Sequence, residues 1–591
     1  MTHATSRIGA RGLATLCAVL LAGCAAPERP PNVVILLADD QGWGDLGYNG
    51  NQNVLTPNID RLAREGAQLP HFYVSPVCSP TRSEMLTGRY HPRSGVTATS
   101  AGRERMDLDE TTLAEVFQAA GYATGAFGKW HNGMQPPYHP NARGFDTFYG
   151  FASGHWGNYF SPPLEHNGEF VRGDGYLPDD ITDKAIAFME AHRDAPFLVY
   201  VPFNTPHSPM QVPERFWERF ADHPLGQRHR EPEKENIEHT RAALAMTENI
   251  DWNVGRLLGG LERLGLQDNT IVLYFSDNGP NGARWNAGMK GRKGSTDEGG
   301  VRSPFVIRWP AGIASGSTMR EIAAAIDLLP TLADLADIEV VTKHPLDGRS
   351  IAPLLRSGTS TSLDRFLFSH WRGRTSVRSA THRLDHEGQL FDMTADPEQR
   401  TDVAAQFPEV VRAMDEARAN WEADALAEAS PEDNRPFTIG HPDFAFTQLP
   451  ARDAAATGHI TRSNRYPNDS FFTNWVSAQD SITWSVDVLA DGDYAVALHY
   501  TCEEGSEGSL VELSLGDSRL SARIKEAHDP PLTGIEHDRV PRIESYVKDF
   551  RSMEMGTITL RKGAGTLVLR ALDMPGRQVM DFRLLMLRRT E

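Results

Sequence analysis

The residues best suited to chemistry lie between positions 74 and 90, around Cys78. An apolar, strand-like approach ends at Pro76, and the stretch after Pro80 has the composition of a helix. Cys78 is therefore predicted at a turn into a helix N-terminus, where unpaired backbone N–H groups and the helix dipole favour an anion. Taken alone, a single cysteine there is as compatible with a small core residue as with a nucleophile.

Carboxylate and amide side chains follow two apolar runs that are predicted strands. Asp39 and Asp40 end the first run, and Asp277 and Asn278 end a later one. Ligands of α/β sheets bind at the carboxyl ends of strands, and neighbouring buried carboxylates require a cation. Oxygen donors favour calcium or magnesium over a transition metal. As isolated strings, both pairs are also compatible with ordinary turns.

Basic and imidazole side chains follow further apolar runs. Lys129 and His131 lie two residues apart, so an extended backbone points both to one side. His207 lies in a loop stiffened by prolines on either side, and Lys293 lies in a glycine-rich segment. A single lysine or histidine is more often an ordinary surface residue. These residues are therefore candidates for a functional site only because they occur together.

Together these strings resemble the signature of the type I sulfatases, the formylglycine-dependent, arylsulfatase-like branch of the alkaline phosphatase superfamily. Cys78 begins Cys-Ser-Pro-Thr-Arg and is followed by Thr-Gly-Arg at residues 87–89. Gly-Lys-Trp-His ends at His131, and Lys293 takes the lysine position of a segment similar to K-G-x-T-x-E-G-G, in which Glu298 is expected to be structural. Similar strings extend the match over about residues 31 to 425.

The resemblance implies a sulfatase, a sulfuric ester hydrolase, whose cysteine is oxidised after translation to Cα-formylglycine (3-oxoalanine). It places a calcium ion, with magnesium as the alternative, on Asp39, Asp40, Cys78, Asp277 and Asn278. It assigns catalysis to Cys78, Arg82, Lys129, His131, His207 and Lys293.

Within that set, the resemblance implies that Lys129, His207 and Lys293 hold the sulfate. His207 or Lys293 would protonate the leaving alkoxide, His131 would take a proton from the hydrated aldehyde, and Arg82 would orient the diol. Unmodified Cys78 is expected to be inactive. The chain therefore needs a maturation partner, either a formylglycine-generating enzyme or an anaerobic sulfatase-maturating enzyme.

A chain of 591 residues is expected to form more than one domain. Strands alternating with amphipathic helices, among them residues 113–120, 181–192 and 241–264, predict an α/β fold, which the resemblance makes alkaline-phosphatase-like with a small C-terminal α+β subdomain. Short alternating runs near the C-terminus, such as residues 556–561, predict an antiparallel β-sandwich that resembles carbohydrate-binding domains. The predicted boundaries are 32–362 for the catalytic domain, 363–430 for the subdomain, 431–442 for a linker and 443–591 for the sandwich.

The N-terminus is predicted to be a targeting segment. Arg7 and Arg11 precede an apolar run that is too short to span a bilayer, and the run ends in Leu-Ala-Gly-Cys at residues 21–24. This string resembles the lipobox of bacterial lipoproteins. We therefore predict a signal peptide at residues 1–23, lipidation of Cys24 and a tether at 24–31, with the protein exported and lipid-anchored on the periplasmic or cell-surface side of the outer membrane.

The remaining cysteine, Cys502, then has no disulfide partner, because the other three have assigned fates. The formal net charge of −19 argues against nucleic acid as a partner and requires a locally positive site for an anionic ester. Aromatic residues of the predicted sandwich are interpreted mainly as core, with a sugar platform as the alternative: Tyr466, Phe471, Phe472, Trp475 and Trp484.

A sulfated polysaccharide or oligosaccharide is the expected substrate. His155, Trp156 and Tyr159 are candidates for recognising the leaving group, with a loop packed on the rim as the alternative. Two other functions stay open. One is a formylglycine-dependent phosphodiester or phosphonate monoester hydrolase, which the lysines and histidines fit less well than sulfate. The other is a catalytically dead, glycan-binding surface lipoprotein.

Overall fold

The computed structural model describes residues 1–2, 29–358, 364–430 and 432–590. Residues 3–23 of the predicted signal peptide and the predicted lipidation site Cys24 lie outside these ranges. Within them, none of the helices is long and apolar enough to cross a membrane.

A mostly parallel sheet forms the centre of the catalytic region. Its parallel strands are β1 Asn32–Ala38, β2 Ala123–Lys129, β3 Thr147–Phe151, β4 Phe197–Pro202 and β5 Thr270–Ser276. They lie side by side in the order β5-β1-β4-β2-β3. Every residue of β1, β4 and β5 is buried, which is why these strands are recognisable in the sequence as continuous apolar runs.

Shorter strands extend the two edges of this sheet. Beyond β5 lie Phe305–Arg308, Ala67–Gln68 and Ser317–Thr318, and beyond β3 lie Pro163–His166 and Glu169–Arg172. A separate small sheet joins Arg302–Ser303, Phe72–Tyr73 and Ala323–Ala324.

Helices cover both faces of the central sheet. The α-helices of the described residues are α1 Pro57–Glu65, α2 Cys78–Thr87, α3 Leu113–Ala119, α4 Leu177–Ala191, α5 Glu214–Trp217, α6 Ile237–Leu264, α7 Glu298–Val301, α8 Leu328–Leu335, α9 Ala352–Ser357 and α10 Pro408–Ala425, of which α10 belongs to the subdomain. Residues 33, 35 and 37 of β1 pack in the apolar cluster that contains α2, α3 and α8. Residues 34, 36 and 38 point to the opposite face of the sheet and pack in the cluster that contains α1, α4 and α6. The predicted α/β class is confirmed.

Two helices begin earlier than the sequence predicts. Helix α6 begins at Ile237 rather than at the predicted residue 241. The Asn236 side chain accepts a hydrogen bond from the backbone N–H of His239 and so caps the helix at this earlier position. The predicted start at residue 181 becomes Leu177 in α4, where Pro178 fits the first turn.

The predicted subdomain and the predicted sandwich are both built around antiparallel strands, as expected. The subdomain sheet consists of Leu367–Trp371, Arg374–Arg378, His382–Leu384 and Leu390–Asp392, with α10 packed beside it. One sandwich sheet contains Phe437–Ile439, Ser481–Val488, Gly563–Asp573, Leu510–Leu515 and Ser518–Arg523, with Ala455–Ala456 beside it. The other contains Thr461–Arg462, Phe472–Thr473, Asp581–Thr590, Gly492–Thr501 and Arg551–Leu560, with Phe446–Pro450 beside it.

The strand Arg551–Leu560 is longer than the predicted run from residue 556. Met553 and Met555 face the core, and after a register shift opposite Val496 the inward positions become Ile558 and Leu560. This β-bulge breaks the period of two, so the alternation visible in the sequence begins only after it.

The sandwich aromatics are used mainly as core. Phe471, Phe472, Trp475 and Trp484 are buried, whereas Tyr466 is exposed. Core packing is therefore confirmed for the four buried side chains. Cys502 is buried and, among the described residues, is a free thiol as expected.

A buried carboxylate ties the subdomain to the catalytic region. Glu298 accepts hydrogen bonds from Arg383 at 2.8 Å and from the Tyr73 hydroxyl at 2.9 Å, and lies within 3.8 Å of Arg302 and Arg378. Burial opposes ionisation, but the attraction of these arginines outweighs it and brings the pKa of Glu298 to about 2. The structural role expected for Glu298 is confirmed.

We expect Glu298→Gln to lower the free energy of unfolding at pH 7 by about 3–5 kcal/mol, because it leaves buried arginines without their counter-charge. The folded pKa of Glu298 is lowered, so the stability it contributes is complete above its ordinary pKa of 4.5 and is lost as pH falls toward 2. Denaturant titrations at pH 7 and in this acid window measure both effects.

The control is Glu409→Gln, since Glu409 pairs with Arg412 on the exposed face of α10. It should change stability by less than about 0.5 kcal/mol. Equal losses in the two variants would contradict the structural role assigned to Glu298.

Candidate active site

The site forms where the carboxyl ends of four parallel strands meet. Asp39 and Asp40 follow β1, and Asp277 and Asn278 follow its neighbour β5, with the Asp277 N–H donating to the Ala38 carbonyl at 3.0 Å. On the other side of β1, β4 leads to the His207 loop, and β2 ends at Lys129. The strand order thus assembles residues that are far apart in the sequence.

Cys78 is the first residue of α2, as the sequence predicts, and follows an extended Val77. Its Sγ lies 3.9 Å from Oδ1 of Asp40. Every residue of α2 is buried, and Cys78 is 2% exposed. Burial raises the pKa of the Cys78 thiol, so the unmodified sulfur is protonated at neutral pH and is a weak nucleophile.

Oxygen atoms beside Cys78 fit a hard divalent cation. Ligand atoms of Asp39, Asp40, Cys78 and His207 all lie within 4.8 Å of one another. Oδ1 of Asp39 and Oδ1 of Asn278 are buried and have no hydrogen-bond partner among the described residues. A bound cation would satisfy these acceptors, and carboxylate and amide oxygens suit calcium or magnesium.

Each buried carboxylate also has its own positive partner, at 2.6 to 2.7 Å: Lys129 on Asp39, Lys293 on Asp40 and Arg82 on Asp277. Burial opposes ionisation of Asp39, but Lys129, His207 and Arg82 hold its pKa well below the usual range. Burial and the neighbouring Asp39 instead raise the pKa of Asp277 to about 6. Arg82 also donates to the Lys129 carbonyl at 2.7 Å, so it fixes two elements of the site.

The two histidines are held by backbone carbonyls. Nε2 of His131 lies 2.9 Å from the Thr99 carbonyl, while its Nδ1 is buried with no partner among the described residues. Burial lowers the pKa of His131 well below its usual value, so the ring is neutral. Nδ1 of His207 lies 2.6 Å from the Ser208 carbonyl, and its Nε2 lies 3.7 Å from Oδ2 of Asp40.

A cavity of about 660 Å³ opens onto this cluster. Five predicted site residues line it: Asp40, Cys78, His131, His207 and Lys293. The others lie behind that wall: Asp39, Arg82, Lys129, Asp277 and Asn278 are each at most 1% exposed.

The predicted leaving-group residues have different surroundings. His155 lines the cavity, 5.6 Å from the His207 ring between centroids. Trp156 stacks on Phe151, away from this cavity. The buried Tyr159 hydroxyl lies 2.9 Å from the Ser208 carbonyl and supports the His207 loop.

Sequence reasoning missed the part of the wall that comes from the sandwich. Tyr466, Asn468 and residues 540–544 line the same cavity. No motif marks these residues, and the exposed Tyr466 is the sole member that composition singled out.

The strand ends converge on a site with oxygens for a cation and lysines for an anion. This combination is typical of enzymes that hydrolyse anionic esters. The family model described as "Sulfatase" matches residues 31–338, and the model described as "N-sulphoglucosamine sulphohydrolase, C-terminal" matches residues 293–418. The chain belongs to the sulfatase family and is a sulfuric ester hydrolase.

Relatives of known activity support this assignment. The chain is 33% identical to mouse N-acetylgalactosamine-6-sulfatase over 61% of this chain and 72% of that one. It is 34% identical to human arylsulfatase A over 65% of this chain and 80% of that one. Among solved structures, Ps i-CgsB in complex with k-i-k-neocarrahexaose matches with a TM-score of 0.63 and 29% identity, over 68% of this chain and 96% of that one.

We expect calcium to raise the thermal unfolding midpoint of the purified protein and a chelator to lower it. A ligand at 100 times its Kd stabilises the fold by about 2.7 kcal/mol. Asn278→Ala removes one unpartnered oxygen without changing charge and should weaken the calcium affinity about tenfold, measured by the calcium dependence of the midpoint.

Asn434→Ala changes an exposed asparagine far from the metal residues in the sequence and serves as the matched control. A wild-type midpoint that responds to neither calcium nor magnesium would contradict the metal assignment.

Proposed function

We propose that this enzyme removes sulfate from a sulfated polysaccharide or oligosaccharide, with Cα-formylglycine at position 78 as the nucleophile and calcium, alternatively magnesium, beside it. The observation that carries the proposal is the position of Cys78 at a helix N-terminus, 3.9 Å from Asp40, in a cavity that His131, His207 and Lys293 also line. The thiol itself is buried and protonated, which makes it a weak nucleophile and supports a chemical change at this position before attack.

When bound by Asp39, Asp40, Asp277 and Asn278, the cation would supply positive charge that neutralises sulfate oxygens. The hydrated aldehyde at position 78 would supply the attacking hydroxyl. Lys293 faces the cavity and binds the sulfate, and Lys129 supports it from behind by holding Asp39. Arg82 positions Asp277 and the end of β2.

The hydrogen bonds of the two histidines assign their proton-transfer atoms. A carbonyl only accepts, so Nδ1 of His207 carries the proton shared with Ser208. Nε2 protonates the leaving alkoxide only from the imidazolium form, in which it holds a second proton, and the Lys293 ammonium is the alternative donor. By the same reasoning, Nε2 of His131 donates to Thr99, which leaves Nδ1 to take a proton from the hydrate. Removal of that proton by Nδ1 of His131 would allow the aldehyde at position 78 to be regenerated as sulfate leaves.

The surroundings of the cavity favour a polyanionic chain as substrate. A neighbouring groove of about 940 Å³ shares Lys234 and Arg292 with the cavity, and Arg230, Lys290 and Arg400 also line it. Such a cationic surface on a chain of net charge −19 suits a polymer with repeated anionic groups. The relatives named above, one named N-acetylgalactosamine-6-sulfatase and one solved in complex with k-i-k-neocarrahexaose, support carbohydrate as the substrate class.

Co-production with a formylglycine-generating enzyme should convert Cys78 to the aldehyde, a loss of about 18 Da in the peptide that contains it. The modified protein should release sulfate from an aryl sulfate and from sulfated glycans, and Cys78→Ala should lower that rate at least about 1,000-fold. Peptide mass spectrometry and sulfate release measure the two effects.

Cys502→Ala, at the other free thiol of the described chain, is the control and should keep its activity. A fully modified protein that cleaves bis(4-nitrophenyl) phosphate but no sulfate ester would replace the proposal with the phosphodiesterase alternative. A Cys78 that stays a thiol under conditions that mature another sulfatase would favour the glycan-binding alternative.

We further propose that the protein is an exported lipoprotein anchored through Cys24. Cys24→Ser should move the protein from the membrane fraction to the soluble fraction, because the acyl chains that hold it would be missing. Cys17→Ser, within the same predicted signal, should leave it in the membrane fraction. Cell fractionation with sulfatase assays measures both, and membrane retention of the Cys24 variant would contradict the anchor.

A further inference from the structure

One wall of the catalytic cavity belongs to the C-terminal domain. The paired strands Leu532–Thr533 and Val547–Lys548 present a loop of residues 534–546, the 534–546 loop, toward the catalytic region. Gln211 donates to the Gly534 carbonyl at 2.7 Å and to Asp538 at 2.9 Å. These contacts fix the loop against the chain that follows His207.

The same loop meets the catalytic region at further points. The Arg539 N–H donates to the Met210 carbonyl at 2.9 Å, and its side chain pairs with Glu214 at 2.8 Å. The Arg542 side chain donates to the Gly157 carbonyl, next to the His155 segment. The loop is thus anchored on both sides of the cavity.

Glu544 brings a carboxylate from this loop into the cavity. Its Oε1 accepts a hydrogen bond from the Ser208 hydroxyl at 2.5 Å, one residue after His207. Its Oε2 is buried and has no hydrogen-bond partner among the described residues. Oε1 therefore holds the Glu544 side chain in place, and Oε2 can still accept a hydrogen bond from a ligand.

His155 lines the cavity together with Glu544. It is 5% exposed, and both ring nitrogens lack a partner within the described ranges. Burial lowers the pKa of His155, so the ring is neutral at pH 7 and offers one donor and one acceptor. Leaving buried polar atoms unpaired costs about 1–3 kcal/mol each, which a ligand that pairs with them recovers.

We propose that Glu544 and His155 form a leaving-group subsite that binds a free hydroxyl of the sugar ring near the sulfate ester. A hydroxyl donates its hydrogen to Oε2 of Glu544 and accepts a hydrogen bond from the N–H of the His155 imidazole. A second sulfate at the same position would face the carboxylate of Glu544 and be repelled, so the subsite selects rings that are unsulfated there. This inference rests on the proposed sulfatase function and adds the C-terminal domain to the substrate site.

The test uses small probes that differ by one group. Phenyl sulfate has no hydroxyl, whereas catechol and resorcinol monosulfates place one hydroxyl one or two ring carbons from the ester. With the formylglycine-modified full chain, kcat/KM for at least one hydroxylated probe should exceed that for phenyl sulfate, and Glu544→Ala should reduce this ratio about tenfold. Glu536→Ala, at an exposed carboxylate of the same loop, should leave the ratio unchanged.

The charge of Glu544 is tested separately. Catechol disulfate carries a second anion beside the ester, and Glu544→Gln keeps an acceptor for Ser208 while removing the charge. The variant should gain about tenfold in its kcat/KM for the disulfate relative to phenyl sulfate.

The outcomes separate the two hypotheses. A modified wild-type enzyme that cleaves none of the probes contradicts the proposed function. An enzyme that cleaves phenyl sulfate, but whose probe ratios respond to Glu544 variants no more than to Glu536→Ala, overturns the subsite.

Discussion

The structure of the site depends on the crowding of three buried carboxylates at neighbouring strand ends. Asp39, Asp40 and Asp277 would repel one another in a medium of low polarity, and each is held by a separate lysine or arginine. These cations come from β2, α2 and the glycine-rich segment, so three distant parts of the sequence must fold together before the charges balance. Oδ1 of Asp39 and Oδ1 of Asn278, which are buried without a partner among the described residues, make the cluster a candidate site for a divalent cation.

A second constraint is that the wall of the cavity belongs to two domains. Both family models end at or before residue 418, yet Tyr466 and residues 540–544 line the cavity. Under the proposed function, the residues at the strand ends would act on the sulfate group, and the C-terminal domain would contact the rest of the substrate. Reaction chemistry and substrate selectivity would then lie in separate parts of the chain.

The sequence is sufficient to predict the central strands and the residues around Cys78, because buried parallel strands are continuous apolar runs and the catalytic side chains follow them directly. Helix starts were less accurate, since the cap at Asn236 lies outside the apolar pattern. The strand Arg551–Leu560 was predicted too short because a bulge interrupts its alternation. Glu544 was not predictable, because its role depends on how the sandwich docks beside Ser208 rather than on any local pattern.

The burial of α2 also has a consequence for the order of events in the life of the protein. Cys78 lies on a helix whose ten residues are all buried and is itself 2% exposed, so in the folded state it meets the outside only at the wall of the cavity. Under the proposed function, a maturation enzyme would reach this segment more readily as an extended peptide, before α2 packs. A chain that folds before it is modified would then stay inactive, with the same sequence and the same fold as its active counterpart.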